Sequence, residues 1–300
     1  MRPASAVRQL VDGHGVAGSR ALPDTEFDAA WAAIVLPDDA KQRLARQAAA
    51  TLKLRASGIA FEDLPLHGII LLLGPPGTGK TTLAHGLADR IARAAAQLGS
   101  FLFVEVDPHG LMSSAHGRSQ KAVEQLFTES IASIATEGPT IVLLDEVETL
   151  AADRAKLSLE SNPIDVHRAV DAVLTSVDRL AREHTDLLFI ATTNVPHEVD
   201  AAFTSRADVV YAFPLPSLEA RQEILTATVE AVAKKFPDAR RLIKDGSVRR
   251  AAEAADGLDG RRLRKLVAVA CAERAEAGVD PNQLTGADLL AAVAAAEGTR

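Results

Sequence analysis

A single cysteine, Cys271, stands in 300 residues, so no disulfide can form within the chain and a reducing cytosol is the expected compartment. It lies in the run Leu266-Val267-Ala268-Val269-Ala270-Cys271 and reads as a small buried helix position, since no His or acid nearby would make it a nucleophile. The eight histidines are scattered without ligand spacing, so no metal site built from protein alone is expected. No apolar run approaches the ~20 residues that a membrane-spanning helix needs. The first residues also lack the apolar segment of a secretory leader, so neither membrane insertion nor export is expected. Positive charge is short as well. The formal net charge is −7 and the pI about 5.7, which argues against a surface that wraps nucleic acid. The pairs Arg240-Arg241 and Arg249-Arg250 read as solvated helix faces.

Apolar residues are abundant, at 47%, enough for a sizeable core in one large domain or two modest ones. The most informative segment is Gly74-Pro75-Pro76-Gly77-Thr78-Gly79-Lys80-Thr81, a complete G-x-x-x-x-G-K-[ST] phosphate loop. The run Ile69-Ile70-Leu71-Leu72-Leu73 feeds it as a strand, and an Ala- and Leu-rich helix leaves it from Thr82 to Gln97. The motif requires that context. Its glycines let backbone N–H groups turn inward around phosphate oxygens, and the helix N-terminus adds positive partial charge. Lys80 is expected to reach the β- and γ-phosphates of ATP, and the Thr81 hydroxyl to sit on Mg²⁺ carried by the nucleotide. Thr82 completes the nucleotide-binding set.

Residues 1–24 read as a flexible N-terminal tail, and 25–57 as two helical stretches around Pro37. Strands are expected at 69–73, 101–106, 140–144, 186–192 and 208–213, with helices over 80–97, 119–136, 163–183 and 198–203. Thr140-Ile141-Val142-Leu143-Leu144 and Leu187-Leu188-Phe189-Ile190-Ala191 are continuous apolar runs, the mark of buried parallel strands. Alternating strands and helices make 25–213 a three-layer α/β domain with a parallel sheet. From Phe213-Pro214-Leu215-Pro216-Ser217 onward the pattern is helical, over 217–235, 247–255, 260–277 and 285–297. Residues 214–300 therefore read as a small all-helical lid domain.

Leu143-Leu144-Asp145-Glu146 closes a buried strand with two carboxylates. Asp145 is expected to hold Mg²⁺ and Glu146 to polarise the attacking water. The next strand ends Ala191-Thr192-Thr193-Asn194, where Asn194 either senses the γ-phosphate or makes an Asx-turn before Pro196. Arg206, in Asp200-Ala201-Ala202-Phe203-Thr204-Ser205-Arg206-Ala207-Asp208, reads either as an arginine finger reaching a neighbouring subunit's phosphate or as a partner of Asp208. Arg261, in Gly257-Leu258-Asp259-Gly260-Arg261-Arg262, is a candidate to fold over the nucleotide.

These elements, in this order, resemble the AAA+ ATPases. The likeness is to the pachytene-checkpoint, thyroid-receptor-interactor type that remodels HORMA proteins, in its bacterial anti-phage signalling form. The specific pieces are Leu144-Asp145-Glu146-Val147-Glu148-Thr149-Leu150, the helix from Ala169-Val170-Asp171 to Ser176-Val177-Asp178, and Ala202-Phe203-Thr204-Ser205-Arg206-Ala207-Asp208. The resemblance implies a cytoplasmic homo-oligomer, a hexameric ring driven by ATP and Mg²⁺. Its implied partner is a HORMA-domain protein bound to a cGAS-like nucleotidyltransferase, whose signalling it restrains. By position it makes Asn194 the first sensor, Arg206 the finger and Arg261 the second sensor. Two departures stand out. Eukaryotic relatives carry an adaptor-binding domain ahead of the ATPase core, and a tail of 24 residues cannot fold into one. The expected pore loop, Leu111-Met112-Ser113-Ser114-Ala115-His116-Gly117-Arg118, has Ala115 and His116 where relatives carry bulky rings. A nucleotide-gated scaffold or loader that holds a partner without unfolding it is the alternative.

Overall fold

The computed structural model describes residues 15–112, 119–154 and 163–297. They divide into two compact units, one drawn from residues up to 34 with 38–74 and 80–212, the other from 35–37, 75–79 and 213 onward. In the first unit the apolar runs become strands β1 (Val16–Leu22), β2 (Ile69–Leu73), β3 (Phe101–Val106), β4 (Thr140–Leu144), β5 (Leu187–Thr193) and β6 (Val209–Ala212). They form one sheet in the order β1-β3-β4-β5-β2-β6. β3 through β6 pair in parallel with β2 among them, and only the β1–β3 pair is antiparallel. β4 and β5 are buried along their whole length, as strands covered on both faces must be.

Helices α1 (Thr25–Ala33), α2 (Asp38–Arg55) and α3 (Lys80–Ala94) pack together on one side of the sheet, where Phe27 of α1 meets Phe103 of β3 edge-on at 4.8 Å. Gly86 of α3 permits this approach, because a Cβ there would lie 2.7 Å from the Trp31 backbone. The short helix α4 (Pro108–Met112) follows β3. Then α5 (Ser119–Gln125) runs through a π-helical segment, Leu126–Ile131, into α6 (Ala132–Thr136). With α7 (Pro163–Glu183) these elements supply Val123, Leu126, Phe127, Val170, Val173 and Val177 to the core on the other sheet face. Helix α8 (Ala201–Thr204) precedes β6. The result is the expected three-layer α/β arrangement.

The N-terminal segment departs from expectation. Residues 16–22, within the stretch read as a flexible tail, form β1 and pair with β3 from Val16↔Val106 to Leu22↔Phe101. Val16-Ala17-Gly18-Ser19-Arg20-Ala21-Leu22 has no strong strand pattern of its own. The sheet edge supplies the ladder, and Arg20 fixes the exit by pairing with Asp24 at 3.1 Å while lying over the Phe27 ring.

The second unit is helical: α9 (Leu218–Ala233), α10 (Arg241–Lys244), α11 (Ser247–Ala254), α12 (Gly260–Ala272), α13 (Ala275–Val279) and α14 (Gly286–Glu297). Leu225, Val229, Leu242, Leu263, Leu266, Leu289 and Val293 form its core. Ser217 caps α9 and Asp259 caps α12, satisfying N–H groups that have no partner inside the helix. Two stretches expected in the α/β domain belong here instead. Val35 packs on this core, and the Gly77 carbonyl accepts the Arg261 N–H at 3.1 Å. No helix among the described residues is long and apolar enough to cross a membrane.

Candidate nucleotide-binding site

The phosphate loop is shaped by three glycines with positive φ: Gly74 at 151°, Gly77 at 77° and Gly79 at 95°. Gly77 is the most constrained, since a Cβ there would fall 2.1 Å from Asp259 Oδ1. The Thr78 hydroxyl donates to the Pro75 carbonyl at 2.9 Å and so braces the turn. Lys80, 5% exposed, begins α3 and donates from Nζ to the Gly74 carbonyl at 2.8 Å. Its long stem is therefore folded along the loop that it is expected to serve.

Thr81, one residue further, donates from its hydroxyl to Asp145 at 2.9 Å. The Thr192 hydroxyl donates to the same carboxylate and accepts the Glu146 N–H at 3.2 Å. Three elements thus converge on Asp145: the start of α3, the end of β4 and the end of β5. β4 lies beside β5, and β5 beside β2, so the strand order itself brings the loop and the acids together.

Glu146 has φ +52°, the one non-glycine residue at positive φ among those described. That left-handed turn carries the chain from β4 into the short 3₁₀ segment Val147–Thr149. Both carboxylate oxygens are engaged. Asn194 Nδ2 donates to Oε1 at 3.1 Å, and His109 Nε2 lies 3.0 Å from Oε2. Asn194 also donates its backbone N–H to Glu148 Oε1 at 3.1 Å, while Glu148 Oε2 is buried with no hydrogen-bond partner among the described residues. Asp107 supports His109 by accepting the Gly110 N–H at 2.9 Å, which closes the first turn of α4.

Arg206 does not pair with Asp208, the partner that its sequence position suggested. Its guanidinium grips Asp178 of α7, with Nε to Oδ1 at 2.6 Å and Nη2 to Oδ2 at 2.8 Å. That grip holds the Asp178 carboxyl below its usual range and raises the pKa of Arg206. Asp208 instead accepts the backbone N–H groups of His67, Gly68 and Ile69 at 3.0, 2.6 and 3.2 Å, which pins the start of β2. Burial nevertheless pushes its pKa up, against those three bonds. Arg261 is exposed at the start of α12, where its one backbone N–H is shared between the Gly77 carbonyl and Asp259 Oδ1. Residues 113–118 of the expected pore loop lie outside the described residues.

Thr192, His109 and Asp178 are not among the site residues that the sequence pointed to. Thr192 was visible as a hydroxyl at the end of a buried strand beside the acids. His109 and Asp178 carry no spacing signal, because their partners lie 37 and 28 residues away.

A parallel sheet with a phosphate loop after β2 and an Asp-Glu pair at the end of a neighbouring strand defines a phosphate-loop nucleotide-binding protein. The model of the family "ATPase family associated with various cellular activities (AAA)" matches residues 70–215. CD-NTase-associated protein 6 of Pseudomonas aeruginosa is 48% identical over 95% of this chain and 93% of its own length. The pachytene checkpoint protein 2 homologue of Arabidopsis thaliana is 33% identical, with 85% of this chain and 61% of that protein covered. The chain thus spans nearly the whole bacterial relative and about three fifths of the plant one. A solved Escherichia coli MS115-1 HORMA:CdnC:Trip13 complex contains a chain of the same fold, with TM-score 0.73 and 18% identity over 98% of this chain and 97% of that one. The chain belongs to the AAA ATPase family, in the branch of the pachytene checkpoint protein 2 homologues and CD-NTase-associated protein 6.

Proposed function

We propose that this protein hydrolyses ATP in a ring of identical subunits and uses that energy to convert a HORMA-domain partner from a closed to an open state. The observation that carries the hydrolytic half is the Thr81–Asp145–Thr192 cluster beside Glu146, whose carboxylate Asn194 and His109 hold. In this reading the loop N–H groups of Gly74 and of Gly77 to Thr82 hold the phosphates, and Lys80 leaves the Gly74 carbonyl to reach them. Thr81 and Asp145 are hard oxygen donors in mutual contact, which suits Mg²⁺, an ion held by one or two carboxylates plus phosphates. When bound, it would neutralise charge on the phosphate oxygens. Glu146 accepts the proton of the attacking water at one carboxylate oxygen, while Asn194 keeps the other in place. Arg206 serves a neighbouring subunit, and Arg261 responds to the nucleotide from the start of α12.

The partner half rests on kinship. The bacterial relative is named for its association with a CD-NTase, and the solved complex contains HORMA and CdnC chains beside Trip13. By extension, the partner here is a HORMA protein bound to a cGAS-like nucleotidyltransferase, in a cytoplasmic signalling system that this protein restrains. Glu146→Gln tests the hydrolytic reading. Turnover is expected to fall at least about 100-fold with ATP still bound, and a variant that turns over at the wild-type rate would remove Glu146 from the role.

A further inference from the structure

We propose that Asp178 is a positioning residue that presets Arg206 to meet a phosphate held by a second copy of this chain. The proposal rests on the reading of Arg206 as an arginine finger and adds a residue through which that finger works.

A guanidinium has five N–H donors in a fixed plane. Three of those on Arg206 are engaged: Nε and Nη2 by the two Asp178 oxygens, and Nη1 by the Ala202 carbonyl at 2.7 Å. Two remain among the described contacts, one on each terminal nitrogen. Side-on pairing through Nε and Nη2 fixes the plane of the group and leaves one donor on each terminal nitrogen to bind phosphate oxygens. Arg206 therefore has one edge anchored and another available, and its side chain remains 24% exposed.

The anchor is itself held. Asp178 lies on α7 next to Val177, which is fully buried, and His67 Nε2 is 3.3 Å from its Oδ1. On the other side Arg206 follows α8, whose cap Asp200 accepts the Ala202 N–H at 2.9 Å and is clamped by Arg154 at 2.7 Å. Two rigid elements thus determine where the guanidinium sits. A part-exposed ion pair contributes little to stability, so a purely structural account leaves this converging set of contacts without a purpose. Asp178 touches no reacting atom in this scheme and acts through Arg206 alone.

The test uses the assembled full-length protein and two kinds of variant. Asp178→Asn keeps the shape but turns one acceptor into a donor facing Arg206, and Asp178→Glu restores the charge. Asp178→Asn is expected to lower kcat by roughly 100-fold, the scale of a misplaced catalytic group. The KM for ATP and the urea midpoint should stay near wild type, and Asp178→Glu should recover part of the rate. Mixing gives the decisive readout. Glu146→Gln subunits are inactive at their own sites but carry an intact Arg206 and Asp178, so added to Arg206→Ala or Asp178→Asn subunits they should restore activity in both mixtures.

Failure of the Arg206→Ala mixture would remove the finger reading, and the proposal with it. Success there with failure of the Asp178→Asn mixture would overturn the proposal alone. A raised kcat in Asp178→Asn would mean that Asp178 withholds Arg206 rather than presetting it. Loss of the fold in both Asp178 variants would make the residue structural, and would equally overturn the proposal.

Discussion

At the scale of the residue, the site concentrates its strain at Glu146. A left-handed backbone costs a non-glycine residue about 1–2 kcal/mol, and here the Thr192 hydroxyl helps to hold it by accepting the Glu146 N–H. Strain of this kind persists where function selects the side chain over the backbone preference. Glu146→Gly should therefore leave urea stability unchanged or raise it by about 1 kcal/mol, while abolishing turnover. A loss of stability larger than that would show that the contacts of the Glu146 carboxylate, and not backbone preference, dominate there. Lys80, Thr81, Asp145, Glu146 and Asn194 stand out in the sequence because each belongs to a motif tied to a strand end, and the fold brings Thr81 to Asp145 and Asn194 to Glu146. His109 and Asp178 were not, because a side chain's partner across the fold depends on packing that no local pattern encodes. Arg206 lies between these cases. Its candidacy was legible, but its grip on Asp178 and not on Asp208 was not, since Asp208 is drawn to the backbone of the β2 entry.

At the scale of the element, the buried strands were the most legible parts, since runs of four or five consecutive apolar residues between helices leave few alternatives. β1 was hidden because an edge strand takes its order from its neighbour, not from its own composition. The π-helical segment in the middle of the helix starting at Ser119 was hidden as well, because its residues carry the same apolar helical pattern as the α-helical turns around it. In the helical unit, α14 begins with a reciprocal cap: Asp288 accepts the Thr285 N–H at 2.8 Å, and Thr285 Oγ1 lies 3.4 Å from the Asp288 N–H. Arg274 binds the same carboxylate at 2.6 and 2.9 Å and, as the largest cause, lowers the Asp288 pKa from 3.8 to about 2. A carboxyl whose folded pKa is depressed adds stability above its unfolded value, and that stability disappears as pH falls through the folded value. Asp288 should therefore add on the order of 2 kcal/mol at neutral pH, decaying as pH drops from near 4 toward 2. The urea midpoints of wild type and Asp288→Asn should differ at pH 7 and converge across that window. A gap that is unchanged at pH 2 would contradict the linkage.

At the scale of the whole molecule there are two units with separate cores, one α/β and one helical, and 35–37 and 75–79 are assigned to the helical one. The sequence alone indicated an ATPase of this family because its motifs occur in order along most of the chain. The partner was not legible in any residue, and kinship supplies it. The central claim is that nucleotide hydrolysis drives a change of state in a HORMA-domain partner. The most direct measurement follows a fluorescently labelled HORMA protein in its closed, partner-bound state on addition of this protein and ATP. The account predicts release of the bound partner and opening of the HORMA fold with ATP, and neither with Glu146→Gln. Nucleotide-dependent binding of the HORMA protein with its closed state intact in both cases would contradict the account and favour a scaffold.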